Sequence, residues 1–175
     1  MDGATSYTVD STSDITVSTA FTGGTGDNTV TVAGDLDATV DLLSGNDTFT
    51  LDLDTGSFTG SAVGGSGTDT LSINSDNTDA TVSTTQFTGF ENIDLSGDND
   101  MTLSGTVNAD DVTLQGETDL TVGSGSSLTA INAITGDTGS NTVDIDGSVT
   151  ANIDLADGDD VFELDLDTGT FVGSV

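Results

Sequence analysis

Acid and amide side chains recur at a fixed distance after glycine in this sequence. The pattern is Gly, any residue, an acid or amide, any residue and an apolar residue, as in Gly67-Thr68-Asp69-Thr70-Leu71. It recurs at residues 26–30, 45–49, 89–93, 139–143 and 158–162. A glycine-rich turn exposes backbone carbonyls and the acid adds charge, so each copy offers the oxygen ligands that Ca²⁺ prefers. The alternative is that Gly, Asp and Asn simply form turns here.

The charge of the chain requires compensation from solution. Its 175 residues include 31 acids and no Lys, Arg or His, which gives a formal net charge of −31. Two carboxylates stacked one strand spacing apart repel by about 1 kcal/mol in water and by more near a protein surface. A divalent cation or high salt is therefore expected to support folding. Nucleic acid is excluded as a partner, because phosphate binding needs cationic side chains.

The residue types also argue against an enzyme. Without His, Cys, Lys or Arg, the usual bases, nucleophiles and oxyanion-binding groups are missing. Two carboxylates could hydrolyse a glycoside, but one of them would need an apolar pocket. Most of the acids here are expected at turns or at outward strand positions. No apolar run approaches a membrane span, and the start MDGATSYTVD lacks the features of a secretory signal, so any export signal is expected outside this sequence.

Strict alternation of apolar and polar residues predicts short β-strands with one buried face. It is clearest in NTVTV, DTFTLDL, DTLSI, ENIDL and NTVDI, and no segment has helical periodicity. The predicted interior consists of the apolar pairs Val30/Val32, Phe49/Leu51, Leu71/Ile73, Ile93/Leu95 and Val143/Ile145. A second strand is expected shortly after each glycine pattern, at Val40, Phe58, Val82, Leu103, Val122, Ile153 and Phe171.

An internal repeat indicates how these strands are arranged. Residues 22–61 align without a gap on residues 135–174, an offset of 113, so that 1–113 form one full repeat and 114–175 a partial second one. Asn108 takes the place of glycine in one copy of the pattern, since Asn tolerates the left-handed conformation. The pattern then predicts six steps per repeat, with successive offsets of 19, 22, 22, 19, 16 and 15. Steps of this length must stack to bury their apolar face.

The expected fold is therefore all-β: a parallel β-solenoid (β-helix) of about nine rungs, with two short strands per rung, that runs continuously through residues 1–175. An antiparallel sandwich is the alternative, since short strands would also suit it. Its connections would not repeat at a regular step.

One stretch resembles a known repeat family. GGSGTDTLS (64–72) matches the nonapeptide G-G-x-G-x-D-x-U-x of the calcium-binding RTX repeats at every position, and GGTGDNTVT (23–31) matches it with Asn in the Asp position. A second phrase, FTGFENIDLSG (87–97), is similar to one found in bacterial S-layer and giant adhesin solenoids. RTX β-rolls carry a nonapeptide on each half-turn, whereas this chain carries one per predicted rung.

The resemblance implies Ca²⁺ ligands at the corners of the solenoid. Asp69 is the carboxylate of the perfect nonapeptide, and Asp47 is its counterpart one rung earlier. Asp157, Asp159 and Asp160 crowd the second-copy corner, and Asp98 and Asp100 form a separate pair. The full set of candidate metal ligands is Asn28, Asp47, Asp69, Glu91, Asp98, Asp100, Asp110, Asn141, Asp157, Asp159 and Asp160.

The phrase LDLDTG occurs twice and offers another kind of site. Strand alternation predicts that Leu51 and Leu53 point inward, which places Asp52 and Asp54 together on the outer face, as with Asp165 and Asp167. Such a pair could bind a cation loosely. A solvated face that keeps the solenoid soluble is the favoured interpretation.

The resemblance implies an extracellular structural role, as a calcium-stabilised segment of an S-layer, adhesin or matrix filament. Because Met1 aligns with Leu114 and Val175 with Ala62, inside the pattern, the expected partners are further copies of the repeat or end-to-end association. A cell-surface polysaccharide is a further possible partner. Ice binding is the alternative function, because outward pairs such as Thr29/Thr31 and Thr48/Thr50 resemble the Thr ranks of β-solenoid antifreeze proteins. Unequal step lengths argue against a flat lattice.

Overall fold

The computed structural model describes residues 3–76, 79–83, 85–98, 100–165 and 167–175. Within these ranges the only regular secondary structure is β-strand, and there is no helix that could cross a membrane. The strands are β1 (Ser6–Val9), β2 (Asp14–Thr16), β3 (Phe21–Thr22), β4 (Thr29–Val32), β5 (Asp35–Asp41), β6 (Thr48–Asp52), β7 (Ser57–Val63), β8 (Thr70–Asn74), β9 (Ala80–Ser83), β10 (Phe87–Thr88), β11 (Asn92–Ser96), β12 (Asp100–Ser104), β13 (Thr106–Gln115), β14 (Asp119–Val122), β15 (Ser127–Thr135), β16 (Thr142–Ile145), β17 (Ser148–Thr150), β18 (Ile153–Asp154), β19 (Val161–Leu164) and β20 (Thr170–Val172).

The chain forms two compact units. The first comprises Met1–Asn74 and Thr85–Glu91, and the second comprises Ser75–Thr84 and Asn92–Val175. In the first unit, β1, β4, β6 and β8 form one parallel sheet, while β10, β7, β5 and β2 form another, with β3 beside β5. The chain thus alternates between two sheets as it winds.

The second unit is built in the same way. Its two parallel sheets have the orders β11-β13-β15-β17-β20 and β19-β16-β14-β12-β9, and β18 also pairs with β15. Every pairing among the described strands of either unit is parallel, so each unit is a β-solenoid and the sandwich alternative is wrong. Strands β1, β4, β6 and β8 mark four successive rungs in the first unit, and strands β11, β13, β15, β17 and β20 mark five in the second, which confirms the predicted count of about nine rungs.

The predicted interior is confirmed. All ten residues of the five apolar pairs are buried, with between 0% and 5% of their surface exposed. On the second strands, the apolar residues are also buried in the interior of their own unit, except Phe171, which is half-buried: Val40, Phe58, Val82, Leu103, Val122 and Ile153. Alternation along each strand therefore sorted the side chains correctly between the interior and the surface.

Strand register is kept although the rungs differ in length. Thr29 pairs with Thr48, at an offset of 19, and Thr48 pairs with Thr70, at an offset of 22. The apolar neighbours Val30, Phe49 and Leu71 stack in the same register. The corners between the strands therefore absorb the difference in length.

The prediction of six steps per repeat is wrong in the second unit. Asn92 pairs with Asp111 at an offset of 19, and Asp111 pairs with Ala133 at an offset of 22. In the opposite sheet, the offset between Asp119 and its partner Thr142 is 23. The two shortest predicted steps do not occur in these ladders, because a rung that stacks on its neighbours must have a similar perimeter.

The corner predicted at Asn108 is also wrong. Residues 106–115 form the single strand β13, with a register shift between Ala109 and Asp111. Leu43 and Ala156, rather than Asn108, have a positive φ among the described non-glycine residues. The apolar residues on both sides of Asn108 keep strand alternation, and this outweighs its weak preference for a turn.

Candidate functional site

The corners of the first unit are joined by side-chain hydrogen bonds that run from rung to rung. The backbone N–H of Asn28 donates to Oδ1 of Asp47 at 2.6 Å, that of Asp47 to Oδ1 of Asp69 at 2.7 Å, and that of Asp69 to Oε2 of Glu91 at 2.8 Å. The N–H of Thr5 donates in the same way to Oδ1 of Asn28. We call Thr5, Asn28, Asp47, Asp69 and Glu91 the inner ladder. Four of the predicted ligands therefore lie in one column.

The three middle residues of the inner ladder are buried. The exposed fraction of Asn28 and Asp47 is 1% each, and that of Asp69 is 0%, whereas Glu91 is half-buried. Each of these residues directly precedes a strand. The apolar residue two positions later points inward, and because side chains alternate along a strand, the polar side chain points inward as well. The column consequently places carboxylates on adjacent rungs of the solenoid interior.

Asn28 differs from its acidic neighbours because all of its amide is bonded. Its Nδ2 donates to the carbonyl oxygens of Leu42 at 3.0 Å and Gly24 at 3.2 Å, and to Oδ1 of Asp47 at 2.9 Å. Its Oδ1 accepts from the N–H of Gly24 at 3.0 Å. An amide at this position is therefore stabilised by the chain alone.

The two buried aspartates are only half bonded. Among the described residues, Oδ2 of Asp47 and Oδ2 of Asp69 are buried without a hydrogen-bond partner. Burial raises the pKa of Asp69; the N–H of Asp47 opposes this rise, and the charges of Asp47 and Glu91 add to it. A buried carboxylate oxygen without a partner is unfavourable, so a positive charge at this column would be stabilising.

A second column, which the sequence reasoning missed, lies beside the first. The N–H of Asn46 donates to Oδ1 of Asp27 at 2.7 Å, and the N–H of Thr68 donates to Oδ1 of Asn46 at 3.0 Å. These residues occupy the position that the glycine pattern leaves open. The available signal was that Asp and Asn, which often bond nearby backbone groups, fill that position in two of three successive corners.

The predicted ligands of the second unit do not form one column. Asn141 is buried, and its N–H donates to Oδ1 of the half-buried Asp160 at 2.9 Å, which repeats the bond between Asn28 and Asp47. Asp157 and Asp159 are exposed in the same corner. Asp110 is half-buried in β13, in the other sheet, so it lies apart from them.

The predicted pair Asp98 and Asp100 is exposed. Asp100 opens β12 and lies opposite Asp119 of β14. Burial raises the pKa of Asp100, and the nearby charges of Asp119 and Asp79 raise it further. Asn99, between the two aspartates of the pair, lies outside the described residues.

The LDLDTG phrase forms a turn rather than a continued strand. β6 ends at Asp52, whose Oδ1 accepts the N–H of Asp54 at 3.0 Å and whose Oδ2 accepts the hydroxyl of Thr55 at 3.0 Å. The second copy repeats both bonds at Asp165, and they lower the pKa of that residue. Leu53 is half-buried within the turn, so the prediction that strand alternation points it inward is wrong. Leu166, in the second copy, lies outside the described residues.

The oxygens of the inner ladder have the right chemistry for a hard cation. A group of three or more His, Cys, Asp or Glu arranged to hold a metal ion does not occur within the described ranges. Near Asp69, however, the backbone carbonyl of Gly89 offers a further oxygen. A methyl group built on Gly64 would lie 2.7 Å from Oδ2 of Asp69 and 2.0 Å from the carbonyl oxygen of Gly89. Carboxylate and carbonyl oxygens together are the usual donor set for Ca²⁺.

The fold and the corners define a parallel β-solenoid whose rungs are connected by buried Asn and Asp side chains. The sequence matches no protein-family model, no curated protein and no solved structure.

Proposed function

We propose that this chain is a structural, calcium-stabilised repeat segment of a long extracellular bacterial protein, such as an S-layer protein, an adhesin or a biofilm-matrix filament. Its role is to form a rod. Further copies of the repeat, or end-to-end association, extend that rod, and a cell-surface polysaccharide is a possible ligand.

One observation carries the proposal: buried carboxylates with unpartnered oxygens occur in a chain that has no cationic side chain. Asp47 and Asp69 stack on adjacent rungs, and none of the 175 residues is Lys, Arg or His. Asp47 and Asp69, with the carbonyl of Gly89, would hold the ion. Bound Ca²⁺ supplies positive charge at this column. Since the column does not exist in the unfolded chain, binding there stabilises the fold.

Calcium-dependent folding is the direct test. In chelator at low salt the chain is expected to lose much of its β signal in circular dichroism, and millimolar Ca²⁺ is expected to restore it. The reason is that the ion offsets carboxylate repulsion only in the folded state. A melting temperature that does not change across the titration would contradict the proposal. NaCl is the control: if it restores folding as well as Ca²⁺ does, general screening is the cause.

One observation favours ice binding as a second candidate function. Hydroxyl side chains stand in two straight ranks across β1, β4, β6 and β8, because the strands keep register despite unequal steps. The ranks are Ser6, Thr29, Thr48, Thr70 and Thr8, Thr31, Thr50, Ser72. Adjacent strands in a sheet lie about 4.8 Å apart, so each rank is a regular, uncharged row.

Bulky substitutions test this candidate. The double variant Thr31→Tyr/Thr50→Tyr interrupts one rank, and it is expected to abolish any thermal hysteresis or ice shaping by the folded chain. The matched control is Thr39→Tyr/Ser61→Tyr, an in-register pair on β5 and β7 of the other sheet. If the wild type has no effect on ice growth, or if both variants behave alike, the ranks do not bind ice.

A further inference from the structure

The same corner position is filled by two kinds of side chain. It holds an amide at Asn28 and Asn141 and a carboxylate at Asp47 and Asp69, and none of the four has more than 1% of its surface exposed. In three of the four cases a glycine stands at the same distance before it, at 23, 64 and 136. Asn141 donates its Nδ2 to the carbonyls of Gly116 and Thr118. The direct comparison is therefore between Asn28 and Asp69, which follow Gly23 and Gly64 at the same distance.

The backbone around the amide and the acid is equivalent. The N–H of Gly23 donates to the carbonyl of Asp41, and the N–H of Gly64 donates to that of Thr88. The next carbonyl along, that of Leu42 or Gly89, then lies beside the glycine. The carbonyl of Gly89 near Asp69 is thus equivalent to the carbonyl of Leu42 near Asn28.

The side-chain atoms facing these carbonyls have opposite character. Nδ2 of Asn28 donates to the carbonyl of Leu42 at 3.0 Å. Oδ2 of Asp69 shares the space beside Gly64 with the carbonyl of Gly89, and it has no partner among the described residues. Two acceptors thus lie beside Gly64, and a positively charged group or a hydrogen-bond donor between them would stabilise both.

We infer that Asn at this position replaces the cation. Rungs with Asn are stabilised by the chain itself, and rungs with Asp need a bound ion, so the ratio of Asn to Asp in the column sets the calcium requirement of the segment. Asn28 then acts as an internal substitute for the ion rather than as its ligand. The inference rests on the proposed calcium-stabilised role, and it assigns that role to Asp47 and Asp69 in the first unit.

Exchange of the two side chains tests the inference in both directions. Asp69→Asn is expected to raise the Tm in chelator and to reduce the calcium-induced Tm shift, and Asp47→Asn/Asp69→Asn is expected to reduce that shift further. Asn28→Asp should have the reverse effect, with a lower Tm in chelator and a larger shift with Ca²⁺. The measurements are thermal melts in chelator and in millimolar Ca²⁺, together with calcium stoichiometry by titration calorimetry.

Asp37→Asn is the matched control, because it removes one carboxylate from an exposed position on β5. Its Tm therefore reports the effect of removing one negative charge without changing a buried contact. If Asp69→Asn behaves like Asp37→Asn, or lowers the Tm in chelator, the inference is overturned. If Asn28→Asp leaves the calcium-induced shift unchanged, it is overturned as well.

The outcomes also separate this inference from the proposed function. A wild-type chain that responds to Ca²⁺ while Asp69→Asn retains the full response places the ion elsewhere, which refutes the inference alone. A wild-type chain without any calcium response refutes the calcium-stabilised function. In that case a gain in Tm for Asp69→Asn beyond that of Asp37→Asn would still support the amide as the better partner for the backbone.

Discussion

Gly67→Ala is expected to destabilise the first unit by about 3–5 kcal/mol, the sum of a steric overlap and a strained backbone. A Cβ at this position would lie 1.8 Å from the carbonyl oxygen of Gly45, in the preceding rung. The φ of Gly67 is 145°, which an L-residue rarely adopts. The stacked rungs would have to separate to accept even one methyl group. Urea unfolding in Ca²⁺, followed by circular dichroism, measures the loss.

Gly125→Ala is the control for this substitution. Gly125 also has a positive φ, of 78°, but no heavy atom lies within 4 Å of the position that its Cβ would take. Gly125→Ala should therefore lower the free energy of unfolding only by the strain of an L-residue at positive φ, about 1–2 kcal/mol. Equal losses in the two variants would show that close rung contact is unimportant at Gly67.

Phe49→Ala is expected to lower the free energy of unfolding by about 3–5 kcal/mol, the usual range for removing a buried aromatic ring. Phe49 is fully buried, and its ring centroid lies 5.0 Å from that of Phe58 and 5.8 Å from that of Phe87. Its removal would leave a cavity beside the two remaining rings, which come from β7 and β10. Equilibrium unfolding measures the change.

The internal repeat supplies a matched variant. Phe162 is the counterpart of Phe49 at an offset of 113, and its ring lies 5.2 Å from that of Phe171, the counterpart of Phe58. Because Phe162 is only half-buried, Phe162→Ala should cost clearly less. A cost equal to that of Phe49→Ala would mean that the depth of burial does not determine the loss.

The sequence was sufficient to predict strand positions and the interior, because both depend on alternation within a few residues. Val30, Phe49 and Leu71 are buried as alternation requires. The sequence was not sufficient to predict which corners stack on one another. The glycine pattern at residues 108–112 fits the repeat, yet these residues continue a strand. Pairing between rungs depends on the matching of their perimeters, which no local pattern reports.

The candidate site was predicted in part. The positions of Asn28, Asp47, Asp69 and Glu91 in one column followed from their equal spacing after glycine. Their inward orientation and their bonds to the preceding rung did not, because these bonds form only once the rungs have stacked. The role of Asp27 and Asn46 was missed for the same reason: their bonds to the backbone of the next rung form only on stacking, and residue type was the one local signal.

The constant register of the strands has a consequence for how such a sequence can evolve. Thr29, Thr48 and Thr70 remain in line although the offset between the first two is 19 and that between the last two is 22. Insertions and deletions of about three residues should therefore be tolerated at corners outside the inner ladder, whereas one extra residue at the start of β6 would turn Phe49 and Leu51 to the opposite face. Recombination between copies of the repeat would preserve the fold wherever it joins equivalent strands. Natural variants of such a chain are thus expected to differ in corner length and copy number far more than in strand length.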